Sequence, residues 1–110
     1  ALFKVTLGKI VVIMEAINEV QEKVTTLRCS SSTDAKKLAG SIYSTYQSNP
    51  DNDIIIRVIG AGALNQAIKG AIISNKFFAK KGILIGVQPF FQDASLNTTA
   101  IGLKIFFLSI

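Results

Sequence analysis

Histidine is absent from this chain, and cysteine occurs once, as Cys29. A zinc cluster is thereby excluded, as are His-based acid–base catalysis and any Ser-His-Asp or Cys-His nucleophile. A lone cysteine cannot form an internal disulfide. The expectation is an intracellular protein, cytoplasmic, nucleoid-associated or nuclear. Acidic residues are scarce, seven against twelve Lys and Arg, and no Asp or Glu occurs between Asp53 and Asp93. Long apolar runs are missing too. Runs such as Ile10 to Met14 are too short to cross a bilayer, so no membrane insertion is expected. The apolar patch flanked by Lys4 and Lys9 is followed by no cleavage-like small-residue pattern, so no secretory signal is expected either.

What remains is a chain of 110 residues, 49% hydrophobic, with a net charge of +5. That size and composition suit one compact domain. The positive balance points toward a polyanionic partner.

Apolar residues at Ile10, Ile13, Met14, Ile17, Val20 and Val24 keep helical spacing, with Glu15, Asn18, Glu19 and Glu22 on a polar side. The spacing predicts an amphipathic helix from about Lys9 to Lys23. It makes residues 1–24 an N-terminal extension to a domain at 25–110. Such a helix is read as cover for the domain's own core before contact with a partner subunit.

Val24–Cys29 is β-branched and reads as a strand. Ser30–Asp34 supplies a loop and helix caps. Ala35, Leu38, Ala39, Ile42 and Tyr46 form the stripe of a first domain helix, which ends before the turn at 48–52. The nearly continuous apolar run from Asp53 to Ile59 predicts a central strand. A helix from about Gly62 to Phe77 or Phe78 follows, with Gly70 inside it as a point of close backbone packing. Strands are expected over Ile83–Phe91, with Pro89 at an edge or far end, and over Thr98–Leu108, joined by a loop at 92–97. The order is β-α-β-α-β-β, which fits several α/β topologies.

The strand-to-helix junction at Ile59–Gly70 carries most of the chemical signal. A glycine turn there opens a helix, offering backbone N–H groups and the positive end of a helix dipole. Gly60 and Gly62 match the first two glycines of a dinucleotide-binding turn. Asn65 stands where the third belongs, and no carboxylate follows to bind a ribose. A nucleotide cofactor is therefore not expected, and none of any other kind is.

Lys69, Lys76 and Lys80 are spaced to share a helix face, with Lys81 beside them. As a group they read as a phosphate-tracking patch, and singly as solvated lysines. Asn65 and Gln66 lie in the first turns of that helix. Arg28 and Arg57 lie within apolar strands, and both suit the open face of a sheet. The pairs Phe77-Phe78, Phe90-Phe91 and Phe106-Phe107 read as core packing first and as base-stacking surfaces second. No nucleophile–base pair is visible, which argues against an enzyme.

IGAGALNQAIKG, Ile59 to Gly70, closely resembles the signature of the stage V sporulation protein S family. The likeness continues through Gly82, Pro89-Phe90-Phe91, Asp93 and Thr99-Ala100-Ile101, and upstream through Leu27-Arg28-Cys29-Ser30 and Leu38-Ala39-Gly40. That family is similar to the Alba superfamily of small chromatin and RNA-binding proteins. The resemblance implies an α/β two-layer sandwich with an Alba-like β-α-β-α-β-β core, here with an extra N-terminal helix. It also implies homodimers or larger protein assemblies and DNA or RNA as partner.

In Alba-like proteins nucleic acid meets the loop after the first strand, the start of the second helix and the final hairpin. Those places correspond to Ser30–Ser32, to Gly60–Gln66 with Lys69, and to Gln92–Asn97. Two departures stand out. Ser32 occupies a loop position where relatives tend to carry lysine, and the hairpin segment has Asp93 but no Lys or Arg.

Overall fold

The computed structural model describes residues 23–95 and 98–110, with side chains outside 93–99. The predicted N-terminal helix lies outside the described residues. The elements are β1 (Val24–Cys29), α1 (Ala35–Ser48), β2 (Asp53–Val58), α2 (Ala61–Ala79), β3 (Ile83–Ser95) and β4 (Thr98–Ser109). They form one sheet in the order β1-β2-β4-β3. β1 and β2 are parallel, while β4 runs antiparallel to both β2 and β3. The chain is thus an α/β two-layer sandwich with the expected β-α-β-α-β-β order.

Alternation along β2 sets the two faces. Ile54, Ile56 and Val58 are buried with Leu103 and Ile105 of β4 beneath the helices. Asp53, Ile55 and Arg57 point the other way and are only half-buried. Leu38, Ala39 and Ile42 of α1 and Ala63, Ala67, Ala71 and Phe78 of α2 close the core from above. The alanines let α2 lie close to the sheet, and Phe78 anchors its last turn. That ring meets Tyr43 and Tyr46 edge-on, with centroids 5.2 and 5.1 Å away. Pairs of this geometry add about 0.5–1.5 kcal/mol beyond their burial.

The two helices touch at Gly70, as its position inside α2 predicts. The approaching group is the Leu38 side chain, however, and not a second backbone. A Cβ on Gly70 would sit 2.7 Å from Leu38 Cδ2. Pro89 lies on the edge strand β3, where its missing N–H costs no ladder bond on the outer side. Asn75 of α2 protects the same edge, its Oδ1 accepting from the Ile85 N–H at 3.2 Å.

The final hairpin is longer than its sequence suggests. β3 continues through Asp93, Ala94 and Ser95 because a bulge between Phe91 and Asp93 absorbs Gln92 and restores pairing with Ala100, Thr99 and Thr98. Since β2 ends at Val58 opposite Ile101, these last pairs extend past β1 and β2. Gln92–Ser95, read as part of a loop, thus belongs to β3, and its pairs with β4 form an arm that projects from one end of the sheet.

Candidate functional site

Parallel pairing of β1 and β2 places both helix starts at the same end of the molecule. This is the end at which the strands' carboxyl termini open in α/β sheets, a common location for ligands. The two starts are built differently. Asp34 caps α1, its Oδ1 accepting from the N–H groups of Lys36 at 2.8 Å and Lys37 at 3.4 Å. Gly60 caps α2 with no side-chain hydrogen bond. Its φ of 93° and ψ of 160° belong to glycine alone, so the turn requires that residue. The first N–H groups of a helix lack intrahelical partners, and those of α2 receive none from a cap side chain.

Gly62 serves a different purpose. A Cβ there would lie 2.9 Å from Ser31 Cβ, so the bare backbone lets the Ser30–Ser32 loop rest against the first turn of α2. The loop is laced internally: the Ser30 N–H donates to Thr33 Oγ1 at 2.8 Å, and the Ser30 and Ser32 hydroxyls lie 3.0 Å apart. Gln66 ties α2 to the same loop through Nε2, which donates to the Thr33 carbonyl at 2.9 Å. Gln66 is therefore a strut, while Asn65, one residue earlier, is exposed.

Arg28 and Arg57 are register partners across β1 and β2, on the face away from the helices. Together with Cys29, Ser30, Ser31 and Ile59 they line an open cleft of about 330 Å³ at the strand ends. Arg57 Nη1 also donates to Gln92 Oε1 at the base of the arm, at 3.4 Å. The register thus sets two cationic residues on the same face of adjacent strands. Cys29 takes no part in this chemistry. It is buried, with its thiol directed to the Ala63 carbonyl at 3.5 Å.

The lysines divide. Lys69 and Lys76 are seven residues apart, about 20° short of two full helical turns, and Lys80 continues the line within about 40°. All three are exposed, on the side of α2 opposite Ala63, Ala67 and Ser74. The stripe begins beside Asn65 and Gly62, so it is continuous with the helix start. Lys81 leaves it: its Nζ lies 5.0 Å from the Tyr43 ring centroid, on the side of α1. Arg28 and Arg57 are not on this stripe. They meet it only around the end of the molecule, through Ser30–Ser32 and Gly60–Gly62. Lys36 and Lys37, exposed in the first turn of α1, add two further cations at that end.

The aromatic pairs also split. Phe78 and Phe107 pack in the core, with ring centroids 5.1 Å apart. Phe90 lies across Gly102, where any Cβ would collide with its ring. Phe91, read as core packing, is instead 79% exposed on the edge strand β3. Adjacent strand residues point to opposite faces, so Phe91 lies on the helix side of the edge strand β3, opposite Ile101 and just before the arm.

Among the described residues, no group of three His, Cys, Asp or Glu side chains could hold a metal ion, and no helix is long and apolar enough to cross a membrane. The assembled features are cationic, hydroxyl-rich and aromatic, which suits binding of a polyanion.

Comparison with known protein families gives a match to stage V sporulation protein S over residues 25–107. The chain belongs to that family. No curated protein matches it.

Proposed function

We propose that this member of the stage V sporulation protein S family is a non-enzymatic, Alba-like nucleic-acid-binding domain that self-associates. One observation carries the reading. The uncapped start of α2, the Ser30–Ser32 loop, the Arg28–Arg57 cleft and the base of the projecting arm all meet at one end of the sheet. A phosphate backbone would be received there by main-chain N–H groups and guanidiniums. It would then follow Lys69, Lys76 and Lys80 along the outer face of α2. Phosphate contacts of this kind bind without reading sequence, and they make affinity fall with salt.

Replacing Lys69, Lys76, Lys80 and Lys81 together by Gln is expected to weaken binding to DNA or RNA. It should also reduce the salt slope by roughly 0.7–0.9 for each phosphate that is no longer neutralised. The measurement is affinity against salt concentration for the wild-type chain and the variant. Because Lys81 lies over Tyr43, restoring Lys81 alone should recover little of the affinity. If the wild-type chain is not retained on either nucleic acid at low salt, the reading is wrong.

Self-association is supported by a groove between α2 and the edge strand β3, lined by Ile68, Ala71, Ile72, Asn75, Ile85 and Val87. Ile72 is 60% exposed beside it, and burying such side chains against a second copy is favourable. Ile72→Asp is expected to shift the sedimentation coefficient toward the monomer without altering the circular dichroism spectrum. An unchanged sedimentation coefficient would remove this groove as the contact. A structural module in a larger assembly is the second reading, favoured by the exposed Leu84, Phe106 and Leu108 on the uncovered sheet face.

A further inference from the structure

Phe91 has no packing role that accounts for it. Its neighbour Phe90 is held over Gly102, whereas Phe91 presents most of its ring to solvent on the opposite face of β3, just before the arm. With Pro89, Phe90 and Ile101 it forms a shallow apolar recess of about 320 Å³. Pro89, two residues earlier, fixes its own φ, and Phe91 holds the last regular pair, with Ile101, before the bulge.

Its position relative to the cations gives the recess a direction. Phe91 pairs with Ile101, and Ile101 pairs with Val58, the last residue of β2. The ring's backbone therefore stands two strand spacings, about 10 Å, from the residue that leads into Ile59, Gly60 and α2. All three residues point toward the helix side of the sheet. The exposed ring and the uncapped helix start consequently border the same corner, with Asn65 and Lys69 on its far side.

We infer that Phe91 is a stacking platform for an unpaired nucleobase, and that the preferred ligand of this end is single-stranded nucleic acid. The inference rests on the nucleic-acid reading above and specifies its substrate. A flat ring in a shallow recess accepts the face of any base, and stacking tolerates every sequence. A duplex keeps its base faces covered, so it can satisfy the cations but not the ring. The charge at this end favours a polyanion over an apolar peptide: Lys36, Lys37 and Lys69 are exposed on the helix side, and Arg28 and Arg57 lie at the strand ends on the other face.

The chain contains no tryptophan, so Phe91→Trp introduces a single indole reporter at the platform. Its emission is to be followed at low salt with three probes of equal length: an oligothymidylate, an abasic strand and a duplex. Quenching by the oligothymidylate alone is expected, with the other two binding through charge but leaving emission unchanged. Phe91→Ala should weaken oligothymidylate binding between about fivefold and a hundredfold, leave duplex affinity within twofold, and not be rescued by Phe91→Leu.

Unchanged oligothymidylate affinity in Phe91→Ala overturns the platform while leaving the nucleic-acid reading intact, provided the duplex and abasic probes still bind the wild-type chain. If none of the three probes binds wild type at low salt, both readings fall. A change in sedimentation without a change in oligothymidylate binding assigns the recess to a contact between copies, and again overturns the platform.

Discussion

The two helices of this sandwich start side by side and solve the same problem in opposite ways. Each begins with N–H groups that no turn of its own can satisfy. At α1 the chain supplies Asp34, a carboxylate that accepts two of them and neutralises the local dipole. At α2 it supplies Gly60, which turns the chain and offers no acceptor. The difference shows that the positive field of α1 is spent within the protein, while that of α2 is directed outward. Beside the start of α2 lie the Ser30–Ser32 loop, Asn65 and Gln66.

The contrast can be broken most strongly at Gly60. Gly60→Ala must place a side chain at φ 93°, which costs about 1–3 kcal/mol. Chemical denaturation should show the decrease, and it should exceed anything achieved at the start of α1. There, Asp34→Ala removes an accepted pair of hydrogen bonds and is expected to cost about 1 kcal/mol. The smallest stability effect belongs to Asp34→Asn, which keeps an acceptor at the cap and should stay within about 0.5 kcal/mol of wild type. The same change sharpens the comparison, because it deletes an anion from the end of the molecule assigned to phosphates. Affinity for DNA or RNA should rise with Asn while stability hardly moves. A fall in affinity would mean that the carboxylate orients Lys36 and Lys37 and does not repel the ligand.

Much of this architecture is written in short-range pattern. Ile54, Ile56 and Val58 alternate as a strand must when one face is buried, and Leu38, Ala39 and Ile42 mark the inner side of a helix. Gly60 declares a turn because few other residues tolerate its backbone. What escapes the sequence depends on pairing between distant segments. No local signal says that Arg28 stands beside Arg57, since that follows from strand register. The arm's length depends on a bulge at Gln92, which only the partner strand makes necessary.

Phe91 is legible as apolar and aromatic, yet its exposure goes with a place on the outer strand of the sheet, which only the strand order reveals. Lys81 shares the charge of Lys69 and Lys76, and the ring of Tyr43 on another helix draws it aside. In each case residue chemistry is available from the sequence, and neighbourhood is not.

The most direct test is the change in backbone amide chemical shifts when the full chain is titrated with a short single-stranded oligonucleotide at low salt. The account predicts the largest shifts at Ser30–Ser32, Ala61–Ala63, Asn65, Lys69 and Phe91. Val24, Thr25, Leu84 and Leu108, at the opposite end of the sheet, should change least. Shifts concentrated on Leu84, Phe106 and Leu108, or no shifts at all, would contradict it.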